Sequence, residues 1–253
     1  METTEHIASL AREGRLLAGA AGEAGPDAPV PTCPGWQVRD LLRHTGMVHR
    51  WATAFVTEGH RTYVPDGGEP DLDGDELLDW FTEGHALLVE ALRTAPADLD
   101  CWAFLPAPSP LAFWARRQAH ETRIHRVDAE SARGGALTPV AAPYAVDGID
   151  ELLTGFHARP RSRVRTGTPL TMRLRALDAD VVWTVRLSAE PPLTVRGVAG
   201  EAEQAEQADC EVSGTASELC LALWNRLPLS SLVASGDKEV AALWTGNSGV
   251  NWS

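Results

Sequence analysis

Nowhere does the chain hold an apolar run near the ~20 residues a membrane helix needs, so no membrane partner is expected. Basic residues are scarce: 22 Lys and Arg stand against 35 Asp and Glu, a net charge of -13 over 253 residues. Arg greatly outnumbers Lys. That balance excludes a nucleic-acid backbone or an anionic membrane surface as the main partner. Cysteine is sparse and scattered, at Cys33, Cys101, Cys210 and Cys220, with no C-x-x-C pair. The pattern excludes a disulfide framework or cysteine-cluster metal site and fits reduced, inert thiols. The start, Met1 to His6, lacks the basic and then apolar regions of a signal peptide, so a cytoplasmic protein is expected. There is no internal repeat, low-complexity tract, phosphate-cradling glycine loop or G-x-S-x-G elbow. His120-Glu121 does not begin an H-E-x-x-H protease helix, because position 124 is Ile.

What the chain does have, in its first half, is helical periodicity. A loose amphipathic pattern runs from Thr4 to Ala24, and Pro31-Thr32-Cys33-Pro34-Gly35 breaks it. A second stripe, Val38, Leu41, Val48, Trp51 and Phe55, precedes a Gly- and Asp-rich loop from Gly59 to Gly74. Asp73 and Glu76 then open a helix with the stripe Leu77, Phe81, His85, Leu88 and Leu92. Ser109 as cap, Pro110 at the first position and Gly134-Gly135 at the end bound a fourth helix. Four such helices with breaker-rich connections describe a four-helix bundle.

After Gly135 the composition shifts. Residues 137–143 read as a linker, Tyr144 to His157 as a short helix, and from Arg163 the period becomes two. Leu170, Met172 and Leu174 alternate with polar residues, as do Val181, Trp183, Val185 and Leu187, with Asp178-Ala179-Asp180 as the turn. Further strands are expected at Leu193 to Val198 and Cys210 to Val212. Thr215-Ala216-Ser217-Glu218 caps one helix, and Asp237 starts a last one. The predicted architecture is a helical bundle over 1–140 followed by a small α+β domain over 141–253, with an antiparallel sheet and helices on one face.

Two interruptions of the apolar stripes stand out. On the fourth helix the stripe is Leu111, Trp114, Gln118, Glu121, His125 and Ala129: apolar, then polar, then apolar. A four-residue step returns within about 40° of its start, so Glu121 and His125 project side by side. A carboxylate on a core-facing stripe needs a cation or hydrogen bonds to compensate it. On the second helix His44 fills the gap in the apolar stripe. Two histidines and a glutamate form a ligand set suited to zinc with one coordination position open. Taken singly, an inward histidine is more often a core residue bonded to a carbonyl, and an i,i+4 Glu-His pair is more often a surface pair. The coincidence of the two favours a metal. His85 also lies on an inward stripe, as a substrate-binding residue, a fourth ligand, a proton-transfer group or core. His49 falls off the main stripe. Arg116, Arg117, Arg123 and Arg126 flank the pair, most of them expected to face solvent.

The run Cys33-Pro34-Gly35-Trp36-Gln37-Val38-Arg39-Asp40-Leu41-Leu42-Arg43-His44 resembles the C-P-G-W-x-x-x-D-L-x-x-H segment of mycothiol-dependent maleylpyruvate isomerase-like proteins, actinobacterial members of the DinB-like metal-binding bundles. Arg117, Glu121, His125, Arg126 and Asp128 match a later helix of the same family. The second half resembles its sterol-carrier-like C-terminal module, at 214–219 and 223–228. The resemblance implies His44, Glu121 and His125 as ligands of Zn2+, with nickel, iron or cobalt also accepting such a set. It implies mycothiol as thiol cosubstrate, and an isomerase or S-transferase in which a metal-activated thiolate attacks an electrophilic small molecule. The alternative is a noncatalytic metal-binding stress or ligand-binding module. Arg226 is expected to reach substrate from the second domain, unless it only ends its helix. Asp128 is either an acceptor orienting an imidazole or a surface acid. The expected partners are small molecules only, in a monomer or homodimer.

Overall fold

Each long helix of the first half begins where a side chain satisfies its unpaired amides. In the computed structural model, described for residues 1–198, 200 and 207–250, these are α1 (Thr3–Ala24), α2 (Val38–Glu58), α3 (Gly74–Thr94) and α4 (Pro110–Arg133). Glu5 receives the Glu2 amide at 2.7 Å, Asp40 the Gln37 amide at 2.8 Å, and Ser109 the Ala112 amide at 3.1 Å. Gly59 ends α2 with φ 65°, a left-handed conformation that glycine adopts without a Cβ clash. The chain divides into two units, Met1–Thr138 and Pro139–Ser253.

In the first unit α1 packs on α3 and α4, and α2 packs on the same two helices. Leu17, Val38, Leu41, Leu77 and Phe81 are fully buried in its core. Near the start of α4, Phe55 stacks on Trp114 with ring centroids 5.0 Å apart. The Trp114 indole donates to the Trp102 carbonyl at 2.9 Å, and the Trp51 indole to the Val64 carbonyl at 2.7 Å. These bonds tie the long loops to the bundle. A cavity of about 330 Å³, lined by Met47, Trp51, Phe55 and Trp80 with part of the 60–68 loop, lies beside them.

The second unit opens with α5 (Ala142–Asp150), which runs on into a π-helical turn (Glu151–Phe156). Five strands follow: β1 (Leu170–Ala176), β2 (Val181–Leu187), β3 (Leu193–Gly197), β4 (Cys210–Gly214) and β5 (Val233–Gly236), in the order β3-β2-β1-β4-β5. Met172 and Leu174 of β1, and Trp183, Val185 and Leu187 of β2, are buried as the two-residue period requires. Helix α6 (Ala216–Leu223) carries the Thr215–Glu218 capping box, and α7 (Lys238–Asn247) contacts β1 and β4. The sheet is mixed, not wholly antiparallel, because β1 and β4 run parallel. The segment between β3 and β4 has the dozen-residue length that a parallel return needs. Strand β5 has no apolar alternation to announce it, since all four of its residues are exposed.

Candidate functional site

Two helices of the first unit deliver the polar cluster. His44 comes from the first half of α2, and Glu121 and His125 come one turn apart from the middle of α4. One donor atom from each lies within 4.8 Å of the other two. His125 Nε2 is 3.1 Å from Glu121 Oε1, and His44 Nε2 is 3.7 Å from the same oxygen. A tetrahedral zinc with ligand bonds of about 2.0–2.1 Å spaces its donors about 3.3–3.4 Å apart, so the two separations straddle the required edge. Glu121 and His125 are buried, whereas His44 is half-buried and gives the cluster its open side.

The carboxylate is held from behind. Arg117, fully buried, donates to Glu121 Oε2 at 2.8 Å, which turns Oε1 toward the histidines. Burial acts against the charge of Glu121, yet hydrogen bonds from His125 and His44 and the charges of His125 and Arg117 hold it well below the usual carboxylate range. Burial likewise opposes the charge of His125, but hydrogen bonds to Asp128 and Glu121 and their charges outweigh it, and its pKa is pushed up to about 9. A site that raises a histidine and lowers a glutamate stabilises a cation lodged between its acids. Trp36 forms the wall, its ring 5.2 Å from that of His44 and nearly parallel to that of His125 at 6.3 Å.

Other expectations meet a different geometry. His85 does not join the cluster. Its Nε2 meets the Leu10 carbonyl at 3.0 Å inside the bundle, and its ring lies where a Cβ on Gly14 would fall, so the expected substrate contact gives way to packing. His49 points inward after all, fully buried, with Nε2 2.8 Å from Thr122 Oγ1. Burial, assisted by neighbouring His85, keeps it uncharged by holding its pKa well below the usual value. Arg117, Arg123 and Arg126 do not face solvent. Nearly every residue of α4 from Phe113 to Glu130 is buried, and Arg117 and Arg126 pair internally. Arg126 donates to Glu13 Oε2 at 2.8 Å and Glu130 Oε2 at 2.6 Å. Arg226, in the second unit just beyond α6, donates to the Trp224 carbonyl at 2.9 Å. Asp128 is no surface acid: it is fully buried, with Oδ2 2.9 Å from His125 Nδ1. The parts that periodicity missed are Arg117, Thr32 and Trp36, although Trp36 stands inside the C-P-G-W run.

No described helix is long and apolar enough to cross a membrane. No curated protein matches the chain. Solved structures similar to it include a mycothiol-dependent maleylpyruvate isomerase and its histidine-to-alanine mutant. They have 15% and 14% sequence identity and TM-scores of 0.61 and 0.62, each match covering 93% of both chains. At that identity the likeness speaks for the fold. The model of the mycothiol maleylpyruvate isomerase N-terminal domain matches residues 7–130, and that of the MDMPI C-terminal domain matches residues 143–243. The two matches span nearly the whole sequence in the order of the two units. With the fold and the motif residues in agreement, the chain belongs to the mycothiol-dependent maleylpyruvate isomerase-like family.

Proposed function

We propose that His44, Glu121 and His125 hold a divalent metal, zinc by preference of the donor set, and that the protein is a cytoplasmic mycothiol-dependent enzyme acting on an electrophilic small molecule. The observation that carries this reading is the approach of two imidazoles and one carboxylate, with one donor atom of each within 4.8 Å of the other two. When bound, such an ion supplies the positive charge that lets a thiol act as a thiolate near neutral pH, the nucleophile that a cis-trans isomerisation or an S-transfer needs.

The chain's own residues do the rest. Glu121 contributes one negative charge, and the two imidazoles, His125 releasing its extra proton on metal binding, contribute none, so a divalent ion would keep a formal +1. That leaves room for one anionic sulfur at neutrality, tolerable in a partly buried cleft. Arg117 keeps the carboxylate turned inward, and Trp36 limits water on one side of the imidazoles. None of the four cysteines is required. Arg226 is our candidate for the cation that binds an anionic substrate, and Arg226→Ala is expected to raise KM more than it lowers kcat.

Two measurements test the proposal. Metal analysis of the purified protein should find near-stoichiometric metal, lost in His44→Ala; equal metal in both proteins refutes the ligand assignment. Incubation with mycothiol and a panel of electrophiles, followed by mass spectrometry, should yield isomerised product or S-conjugates. Bound metal without turnover of any member of the panel would favour the noncatalytic module instead.

A further inference from the structure

We propose that Thr32, in the loop before α2, is a positioning residue that orients His125 through Asp128. The proposal rests on the metal reading above and gives the Pro31–Trp36 segment a task that needs no chemistry from Cys33.

The loop is folded tightly by its own backbone. The Val30 amide donates to the Trp36 carbonyl at 2.9 Å, the Cys33 amide to Val30 and the Trp36 amide to Cys33, both at 3.0 Å. Gly35 sits at φ 90°, a conformation in which a Cβ is strained, so a glycine belongs there. The fold of the loop sends two side chains to the same place. Trp36 lies against the rings of His44 and His125. Thr32 reaches behind them, its hydroxyl donating to Asp128 Oδ1 at 2.6 Å. Thr32 Oγ1 is also 3.1 Å from Ser131 Oγ, and Ser131 itself donates to the Asp128 carbonyl at 2.7 Å.

An ionised carboxylate only accepts hydrogen bonds. His125 Nδ1–H therefore donates to Asp128 Oδ2, and in the neutral ring this leaves the lone pair on Nε2, the atom that faces Glu121 Oε1. One hydrogen bond alone lets a carboxylate turn about its Cβ–Cγ bond. A second bond, at the other oxygen, fixes its plane and so the direction of the imidazole. Thr32 supplies that bond from 96 residues away in sequence, which couples the loop to the metal site.

The experiment measures zinc affinity by chelator competition, and the visible spectrum of the cobalt-substituted protein, in wild type, Thr32→Val, Thr32→Ser and Asp128→Asn. Thr32→Val keeps the side-chain shape without the hydroxyl. It is expected to weaken zinc about tenfold, the lower end for a residue that orients a ligand, and to shift the cobalt bands. Thr32→Ser should restore both, which a mere packing role would not predict. Adding Thr32→Val to Asp128→Asn should weaken binding no further, since the path is already cut. Wild-type zinc affinity and an unchanged cobalt spectrum in Thr32→Val overturn this inference and leave the metal reading intact. A wild-type protein that binds neither metal overturns both.

Discussion

Replacing Glu121 by Gln removes one charge and almost no volume, and two consequences separate cleanly. The first needs no metal. Glu121 Oε2 accepts from buried Arg117 at 2.8 Å, and Oε1 faces two imidazoles. Removing one partner of a buried ion pair costs about 3–5 kcal/mol when nothing replaces it. Gln keeps a carbonyl for Arg117, so the metal-free protein should lose about 2 kcal/mol. The second consequence appears on adding zinc. At a free concentration 100-fold above Kd, wild type gains about 2.7 kcal/mol, whereas a site weakened 100-fold gains only about 0.4 kcal/mol. Urea unfolding followed by tryptophan fluorescence, in EDTA and then in buffered zinc, measures both. Equal zinc-induced stabilisation of Glu121→Gln and wild type would refute the carboxylate as a ligand. An unchanged midpoint in EDTA would refute its pairing with Arg117.

Two further expectations follow from the packing. Gly14→Ala places a Cβ 2.1 Å from His85 Nε2, so it should destabilise the first unit by about 1–3 kcal/mol in urea unfolding. His85→Ala on that background should recover part of the loss, and no recovery would show that the clash lies elsewhere. In the second unit, burial, aided by the charge of Arg159, pushes the pKa of His157 down from 6.5 to about 4. The unfolded chain then takes up the proton first, so stability is full above pH 6.5 and falls as pH drops toward 4, by at most about 3 kcal/mol. His157→Gln should flatten that part of the profile, and an unaltered acid slope would refute the assignment.

Where a feature depends on neighbours along the chain, it could be read without coordinates. The stripe of α2 with His44 in its gap and the same-face spacing of Glu121 and His125 follow from helical geometry alone. So do the Ser109 and Thr215 caps and the alternation of β1 and β2. Features that depend on what packs against them could not be read so. His49 and three arginines were expected on outer faces because periodicity assumes a dry side and a wet side. Helix α4 is buried nearly all round, and Arg117 finds an acid at Glu121 and Arg126 at Glu13 and Glu130. Strand β5 carries no pattern because it is an exposed edge, and the parallel β1–β4 pair needs a return path that local spacing does not encode.

The ordering of residues along the helices determined by itself which imidazoles and which carboxylate turn inward, because a turn of 3.6 residues is set by backbone sterics and holds wherever a helix forms. Only the tertiary structure decided that donor atoms of the three lie within 4.8 Å of one another, that Arg117 and Asp128 are buried beside them rather than exposed, and that Trp36 from the loop lies against the imidazoles while Thr32 reaches Asp128 behind them. The contacts that His44, Thr32 and Trp36 make with α4 join segments far apart in sequence, 96 residues for Thr32 and Asp128, and their distances depend on how the helices pack, which side-chain volumes across the whole core settle together.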